Sequence, residues 1–139
     1  MKKLAALLVL STGLTAPLVH GQPPGNAAGA LDAAKQWLAA ADANDGAATW
    51  DQAAPAFQAA ISRQAWSDAL KQARQPFGKV EARTLVSSER KHALPGAPDG
   101  DYVVLMYDTR FAHKAHAVET VVPVRDQDGR WKVSGYFVK

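Results

Sequence analysis

Apolar residues recur with helical spacing near the start of the chain. Between residues 30 and 41 they fall at i, i+3, i+4, i+7, i+8 and i+11, which is the spacing of one helix face. The members of this stripe are Ala30, Ala33, Ala34, Trp37, Leu38 and Ala41. The turn-forming sequence Asn44-Asp45-Gly46 follows, so the pattern predicts an amphipathic helix that ends just before it.

Signals for two further helices come next. Thr49 and Gln52 have the spacing of a capping box, which predicts a helical turn starting at Thr49. Pro55 is disfavoured deep in a helix but favoured in its first turn, so we expect a helix to restart there. Ser62 is a typical N-cap for the next helix, and Pro76-Phe77-Gly78 ends that helix.

After residue 78 the apolar spacing shortens toward two residues, which is typical of strands. Four segments carry this pattern: 79–91, 102–111, 117–125 and 131–138. Asp128-Gly129 predicts a tight hairpin before the last strand, and the link 112–116 joins the second strand to the third. Pro123 cannot donate a hydrogen bond to a neighbouring strand, so we expect a β-bulge near it.

Helices followed by consecutive strands, with no alternation of the two, indicate an α+β fold. We therefore predict N-terminal helices packed on a curved four-stranded antiparallel sheet, in a single domain over residues 30–139.

The first residues have the pattern of a secretory signal peptide. Two lysines precede the apolar run 4–10, and Gly21 ends a segment suited to signal peptidase. We predict that residues 1–21 are removed, that residues 22–29 form a flexible leader, and that the protein is exported to the periplasm or the medium. The chain contains no cysteine to carry a lipid, so we expect no membrane anchor.

Charge and cysteine content narrow the function classes. The chain has 16 basic and 13 acidic residues. Two of the basic residues and none of the acidic ones lie in the predicted signal, so the exported chain is nearly neutral. A nearly neutral chain gives no support for nucleic-acid binding. The lack of cysteine excludes disulfides, thiol catalysis and cysteine-ligated metals.

Motifs along most of the chain fit one family pattern together. They are Trp37-Leu38, Trp50, Phe57, Trp66, Arg74, Phe77-Gly78, Arg83, residues 94–100, Val118-Glu119-Thr120 and residues 129–136. This set resembles a bacterial exported family catalogued as domain of unknown function 4019. The resemblance implies a fold of the nuclear-transport-factor-2 or cystatin-like class, and it implies no reaction. Residues 112–116 are atypical of that family.

Two closely spaced histidines are the main candidates for a metal site. Together with His92 or Asp108, His113 and His116 have the ligand types that bind Cu²⁺ or Zn²⁺. Lys114 lies between them, and its charge opposes a bound cation. We favour two solvated loop histidines, and we expect neither a metal nor a cofactor.

Arg83, Glu119 and Tyr136 form the candidate ligand-binding site, one residue from each of three predicted strands. Strict alternation places them opposite the face that carries Val80, Val103, Val118 and Val133. A bulge near Pro123 would change this parity, so two placements stay open. On an open face the three form a salt-bridged patch of a non-catalytic domain that binds a partner or small ligand. In a cavity they suit an isomerase-like or hydratase-like enzyme, with Glu119 as base.

The face of the sheet opposite the helices is a candidate interface. By alternation it carries Tyr102, Val104, Met106, Val121, Tyr136 and Val138. This is more apolar area than a small monomer usually exposes in one patch. We therefore expect a homodimer that buries this face, with an unknown envelope protein as the alternative partner.

The signal peptide is tested by the mass of the exported protein. We expect the intact mass of material recovered from the periplasm or medium to correspond to a chain that begins at Gln22. A membrane-bound species that retains Lys2 and Lys3 would contradict the prediction.

Overall fold

The computed structural model describes residues 27–139, in which the helices come first and one sheet follows. The helices are α1 (Ala27–Asp42), α2 (Gly46–Asp51), α3 (Pro55–Ala60), α4 (Arg63–Arg74) and a 3-10 turn (Gln75–Phe77). The strands are β1 (Val80–Lys91), β2 (Tyr102–Phe111), β3 (Lys114–Arg125) and β4 (Trp131–Val138). They form one antiparallel sheet in the order β1-β2-β3-β4. The α+β class and the four-stranded antiparallel sheet are therefore confirmed.

The described residues include only the end of the predicted leader. The predicted signal peptide and residues 22–26 of the predicted leader lie outside the described residues. α1 begins at Ala27, so it includes three residues, 27–29, at the end of the predicted leader. No helix within residues 27–139 has both the length and the apolar character needed to cross a membrane.

The helix ends follow the sequence signals, with one correction. Pro55 occupies the first turn of α3, and Ser62 caps α4 by accepting a hydrogen bond from the amide of Ala65. The capping box at Thr49 is wrong, because the Asp45 carboxylate caps α2 and the helix starts three residues earlier. Thr49 is instead buried inside α2, where its hydroxyl accepts a hydrogen bond from Trp66 Nε1 at 2.9 Å.

The link between β2 and β3 is shorter than predicted. β3 begins at Lys114, so the turn contains only Ala112 and His113. This turn is tied to the segment before β1, because the amide of His113 donates to the carbonyl of Phe77 at 2.9 Å. His116 therefore lies in a strand and not in a loop.

The bulge expected near Pro123 is confirmed. Val122 pairs with Gly135 and Pro123 pairs with Val133, so Ser134 is an extra residue in β4 with no partner across the ladder. Its hydroxyl donates a hydrogen bond to the carbonyl of Val122 at 2.8 Å. Because of the extra residue, Val133 and Tyr136 share one face of the sheet, and both belong to the core.

β3 presents the opposite residues to the core from those that strict alternation suggested. Glu119 and Val121 are fully buried on the side that the helices cover, which we call the helix face. Val118 pairs with the exposed Asp108 on the other side, which we call the open face. Glu119 and Tyr136 therefore lie on the helix face, and Arg83 joins them there through its contact with α1.

The predicted interface needs a corresponding correction. Three of its six residues pack in or against the core: Val121, Tyr136 and Val138. Tyr102 is buried on the open face, where its hydroxyl donates to the carbonyl of Pro98 in the preceding loop. Val104 and Met106 remain on the open face, and the exposed Phe137 joins them.

The core lies between α1 and the sheet, because α1 packs across β2, β3 and β4. Its centre is Trp37, whose ring lies 4.8 Å from that of Tyr136 and 6.2 Å from that of Trp66. The indole nitrogen of Trp37 donates to the carbonyl of Thr49 at 3.0 Å, so burial leaves no polar atom of this side chain unpaired.

Replacement of Trp37 tests this packing. Trp37 is only 1% exposed, so we expect Trp37→Ala to lower the free energy of unfolding by about 3–5 kcal/mol. Trp66 and Trp131 are partly buried, and alanine should cost less at each. Urea denaturation followed by far-UV circular dichroism measures the effect. Val86→Ala, at an exposed site on β1, is the control, with a change within about 0.5 kcal/mol. Equal effects of Trp37→Ala and Val86→Ala would contradict the assignment.

Candidate functional site

A network of charged and hydroxyl groups lies where the ends of α1 and α4 meet the helix face of the sheet. Asp42 is the last residue of α1 and Arg74 is the last residue of α4. The sheet contributes Arg83 from β1, Thr109 from β2, Glu119 from β3 and Tyr136 from β4. Every strand and both long helices therefore meet in one cluster, which we call the ionic network.

Glu119 is the buried centre of the ionic network, with none of its surface exposed. Its Oε1 accepts hydrogen bonds from the Thr109 hydroxyl at 2.6 Å and from Arg83 Nε at 2.8 Å. Its Oε2 accepts a hydrogen bond from the Tyr136 hydroxyl and lies 3.6 Å from Arg74 Nη1. A buried carboxylate is costly unless it is paired and hydrogen-bonded, and this one is both.

Asp42 links the network to the surface. Arg83 donates two hydrogen bonds to its carboxylate, at 2.8 and 2.9 Å, and Arg74 donates a third at 2.6 Å. Two carboxylates thus face two guanidinium groups, so the formal charges of the network cancel. The forked geometry of arginine allows each guanidinium to bridge Asp42 and Glu119.

The surroundings shift the pKa values of three groups in the network, Asp42, Arg83 and Tyr136. Burial alone would raise the pKa of Asp42, but hydrogen bonds from Arg83 and Arg74 outweigh it and hold this pKa below its usual value. Burial would lower the pKa of Arg83, but its contacts with Asp42 and Glu119 raise it above the usual value. Burial and the nearby charge of Glu119 raise the pKa of Tyr136, so its hydroxyl keeps the proton that it donates.

This arrangement does not suit Glu119 to act as a base. The carboxylate is held by three donors, and a base needs a substrate proton within about 3 Å or one bridging water. The cleft described next reaches Asp42 and Arg74 but is not lined by Glu119. The geometry therefore gives no support to the isomerase-like or hydratase-like hypothesis.

A cleft of about 470 Å³ opens beside the network, between the ends of α1 and α4 and the start of β1. Its lining residues are Ala41, Asp42, Asn44, Gly46, Ser67, Leu70, Lys71, Arg74, Gln75, Gly78, Lys79 and Val80. Lys71 and Lys79 make no ion pair within residues 27–139. The Asp42 carboxylate, in contrast, is neutralised by two arginines. The uncompensated charge of the cleft is therefore positive.

The structure brings the three predicted site residues together, but it adds residues that the sequence reasoning missed. Asp42, Arg74 and Thr109 complete the contacts of Arg83, Glu119 and Tyr136. Two of these three further residues stand out in the sequence. Arg74 follows Leu70 by four residues, so a charge occupies the apolar stripe of its helix. Thr109 occupies a core-facing position of β2, between Tyr107 and Phe111.

The structure places His113 and His116 in different elements. His116 is exposed on β3, with its Nδ1 at 3.7 Å from Asp108 Oδ1. His113 lies in the turn and packs against Gly78, where a Cβ would come within 2.7 Å of the imidazole ring. In the part of the chain that the structure describes, no three histidine, aspartate or glutamate side chains gather closely enough to hold a metal ion.

A family model described as "Protein of unknown function (DUF4019)" matches residues 33–136, a span that includes every residue of the ionic network. No curated protein matches the chain, and no solved structure matches it.

The pH dependence of stability tests the role of Asp42. Because its pKa is lowered on folding, this carboxylate stabilises the folded state above its unfolded pKa, near 3.8. That contribution is lost as the pH falls through the lower folded value. We therefore expect the free energy of unfolding to fall less steeply between about pH 5 and pH 2 in Asp42→Asn than in the wild type. Asp32→Asn, an exposed change on the same helix, is the control. Equal slopes for the wild type and Asp42→Asn would contradict the assignment.

Proposed function

The chain belongs to the DUF4019 family of proteins of unknown function, and we propose that it is an exported, non-catalytic domain that binds a small anionic molecule. The cleft between α1, α4 and β1 is the binding site. The observation that carries the proposal is the pair of lysines, Lys71 and Lys79, that line this cleft without an ion pair within residues 27–139.

Size and charge favour a small anion. A cleft of about 470 Å³ lies within the range of about 300–1,000 Å³ that is usual for small-molecule sites. Two ammonium groups provide donors for a carboxylate or phosphate, and Ser67 and Asn44 add neutral polar groups to the lining. Leu70 and Ala41 supply an apolar wall, which favours an organic anion over an inorganic one.

The ionic network gives this cleft a rigid wall. Arg74 is buried and bridges Asp42 to Glu119 and Tyr136, so the side of the cleft that it forms cannot easily rearrange. A site that is already ordered loses little conformational freedom when a ligand binds. The network therefore supports binding, while its hydrogen-bonded carboxylates provide no free base for catalysis.

Export and the finer fold class form part of the same proposal. The basic start and apolar run before Gly21 support cleavage by signal peptidase and export from a bacterial cell. Helices that precede four consecutive antiparallel strands support a nuclear-transport-factor-2 or cystatin-like fold. In such an arrangement a space between helices and sheet is a natural place for a small ligand.

Titration calorimetry with three probes tests the proposal: inorganic phosphate, succinate and citrate. We expect saturable binding of at least one carboxylate by the wild-type protein, with an affinity that falls as salt is added. Lys71→Glu and Lys79→Glu should each weaken binding about tenfold. Each substitution removes one exposed ion pair between the lysine and the bound anion, and it adds a repulsion of similar size.

The matched control is Lys35→Glu, since Lys35 is an exposed lysine on α1 outside the cleft. The affinity of Lys35→Glu for the same probe should equal that of the wild type, after allowance for the change in net charge. The proposal fails if no probe binds the wild type saturably, or if all three lysine variants weaken binding equally.

A further inference from the structure

We propose that two copies of this chain associate through the open faces of their sheets, with Met106 and Phe137 at the centre of the contact. The proposal does not rest on the ligand-binding function, because the cleft lies on the helix side of the sheet. It keeps Val104 and Met106 of the interface expected from the sequence and leaves out the three residues that pack in or against the core.

An apolar row crosses the open face. Met106 pairs with Thr120 on β3, and Thr120 pairs with Phe137 on β4, so the three lie side by side. Met106 is 37% exposed and Phe137 is 66% exposed. Two partly exposed apolar residues flank this row on the same face, Val104 and Val118, whereas Val122 on that face is buried. The long helix α1 packs on the opposite face of the sheet.

Most of the charged groups around the apolar row already have an ion-pair partner within one chain, although Asp108 faces only the His116 imidazole, at 3.7 Å. At one end of the face, Arg110 pairs with Glu81 at 3.1 Å. At the other end, Lys132 pairs with Asp126 at 2.8 Å and Lys91 with Glu89 at 2.9 Å. A strongly charged partner would find no complementary field on such a surface. A second copy of the chain, in contrast, would meet charged pairs around the apolar row that cause little repulsion between the two copies.

The open face is large enough for a small dimer contact. Four strands spaced about 4.8 Å apart, over about eight residues of about 3.3 Å each, cover roughly 500 Å² in plan. The relief of the side chains adds accessible area, whereas the loop before β2 covers the end of the face at Tyr102. We therefore expect a contact below the roughly 800 Å² per partner of a standard interface. Two such sheets can pack face to face at about 10 Å, with aromatic and methionine side chains interdigitating.

The edges of the sheet are less suited to pairing than its open face. β1 is an edge strand, but Glu81 and Val86 are bulged residues without partners in the β1–β2 ladder. Bulges and charged side chains protect an edge from strand addition. On the opposite edge, the amide of Ala54 donates to the carbonyl of Val133 at 2.8 Å, which occupies part of β4.

Sedimentation velocity over a range of micromolar concentrations tests the proposal. The full chain is expressed, and the purified product is identified by intact mass. We expect a dimer for the wild type. Phe137→Glu and Met106→Glu should each raise the dimer dissociation constant at least about 30-fold, because each buries an unpaired charge at the centre of the contact.

The control is Val86→Glu, which changes an exposed residue (59%) on the β1 edge. This variant should remain a dimer, and circular dichroism should show that all three variants are folded. Phe137 and Met106 are tested separately so that failure of one variant to fold leaves the other informative. A monomeric wild type would overturn the proposal, and so would dimers unaffected by both central substitutions. Loss of the dimer in Val86→Glu alone would assign the contact to the edge and would also overturn it.

Discussion

The contact between Glu119 and Arg83 is the interaction on which the arrangement of this domain depends. Glu119 is buried without any exposed surface, so its charge must be matched within the protein. Arg83 matches it at 2.8 Å and also bridges to Asp42 on α1. The same carboxylate holds Tyr136 and Thr109, so the pairing joins all four strands of the sheet to the helices at a single point.

A buried network of this kind contributes less to stability than its number of contacts suggests. Replacing a whole buried ion pair by apolar groups often costs little, whereas removing one partner commonly costs about 3–5 kcal/mol. The hydrophobic contacts of Trp37 and its neighbours contribute the larger share of stability. In the observed packing, Arg74 of α4 reaches both Asp42 of α1 and Glu119 of β3. The cleft lies beside this network on the helix side of the sheet.

The sequence predicts features that depend on contacts between neighbouring residues of the chain, and it misses features that depend on distant contacts. Helix ends with local signals, such as Pro55 and Ser62, were predictable because their capping contacts lie within a few residues. Strand bounds were also predictable where alternation is regular, as in β2. Which side of β3 faces the core was not predictable, because alternation alone does not decide whether Val118 or Glu119 lies beneath the helices. Asp42 and Arg83 are 41 residues apart in the chain, and nothing local indicates that they meet.

The extra residue in β4 is one that the sheet can lose. Ser134 has no partner across the ladder, whereas Val133 and Gly135 pair with adjacent residues of β3. Deletion of Ser134 would therefore leave a regular strand in which Tyr136 still lies on the helix face beside Glu119. A deletion within the regular register of β2 would instead exchange inside for outside in every residue beyond it. Over evolutionary time, the loss of one residue should therefore be accepted far more readily at this bulge than within β2.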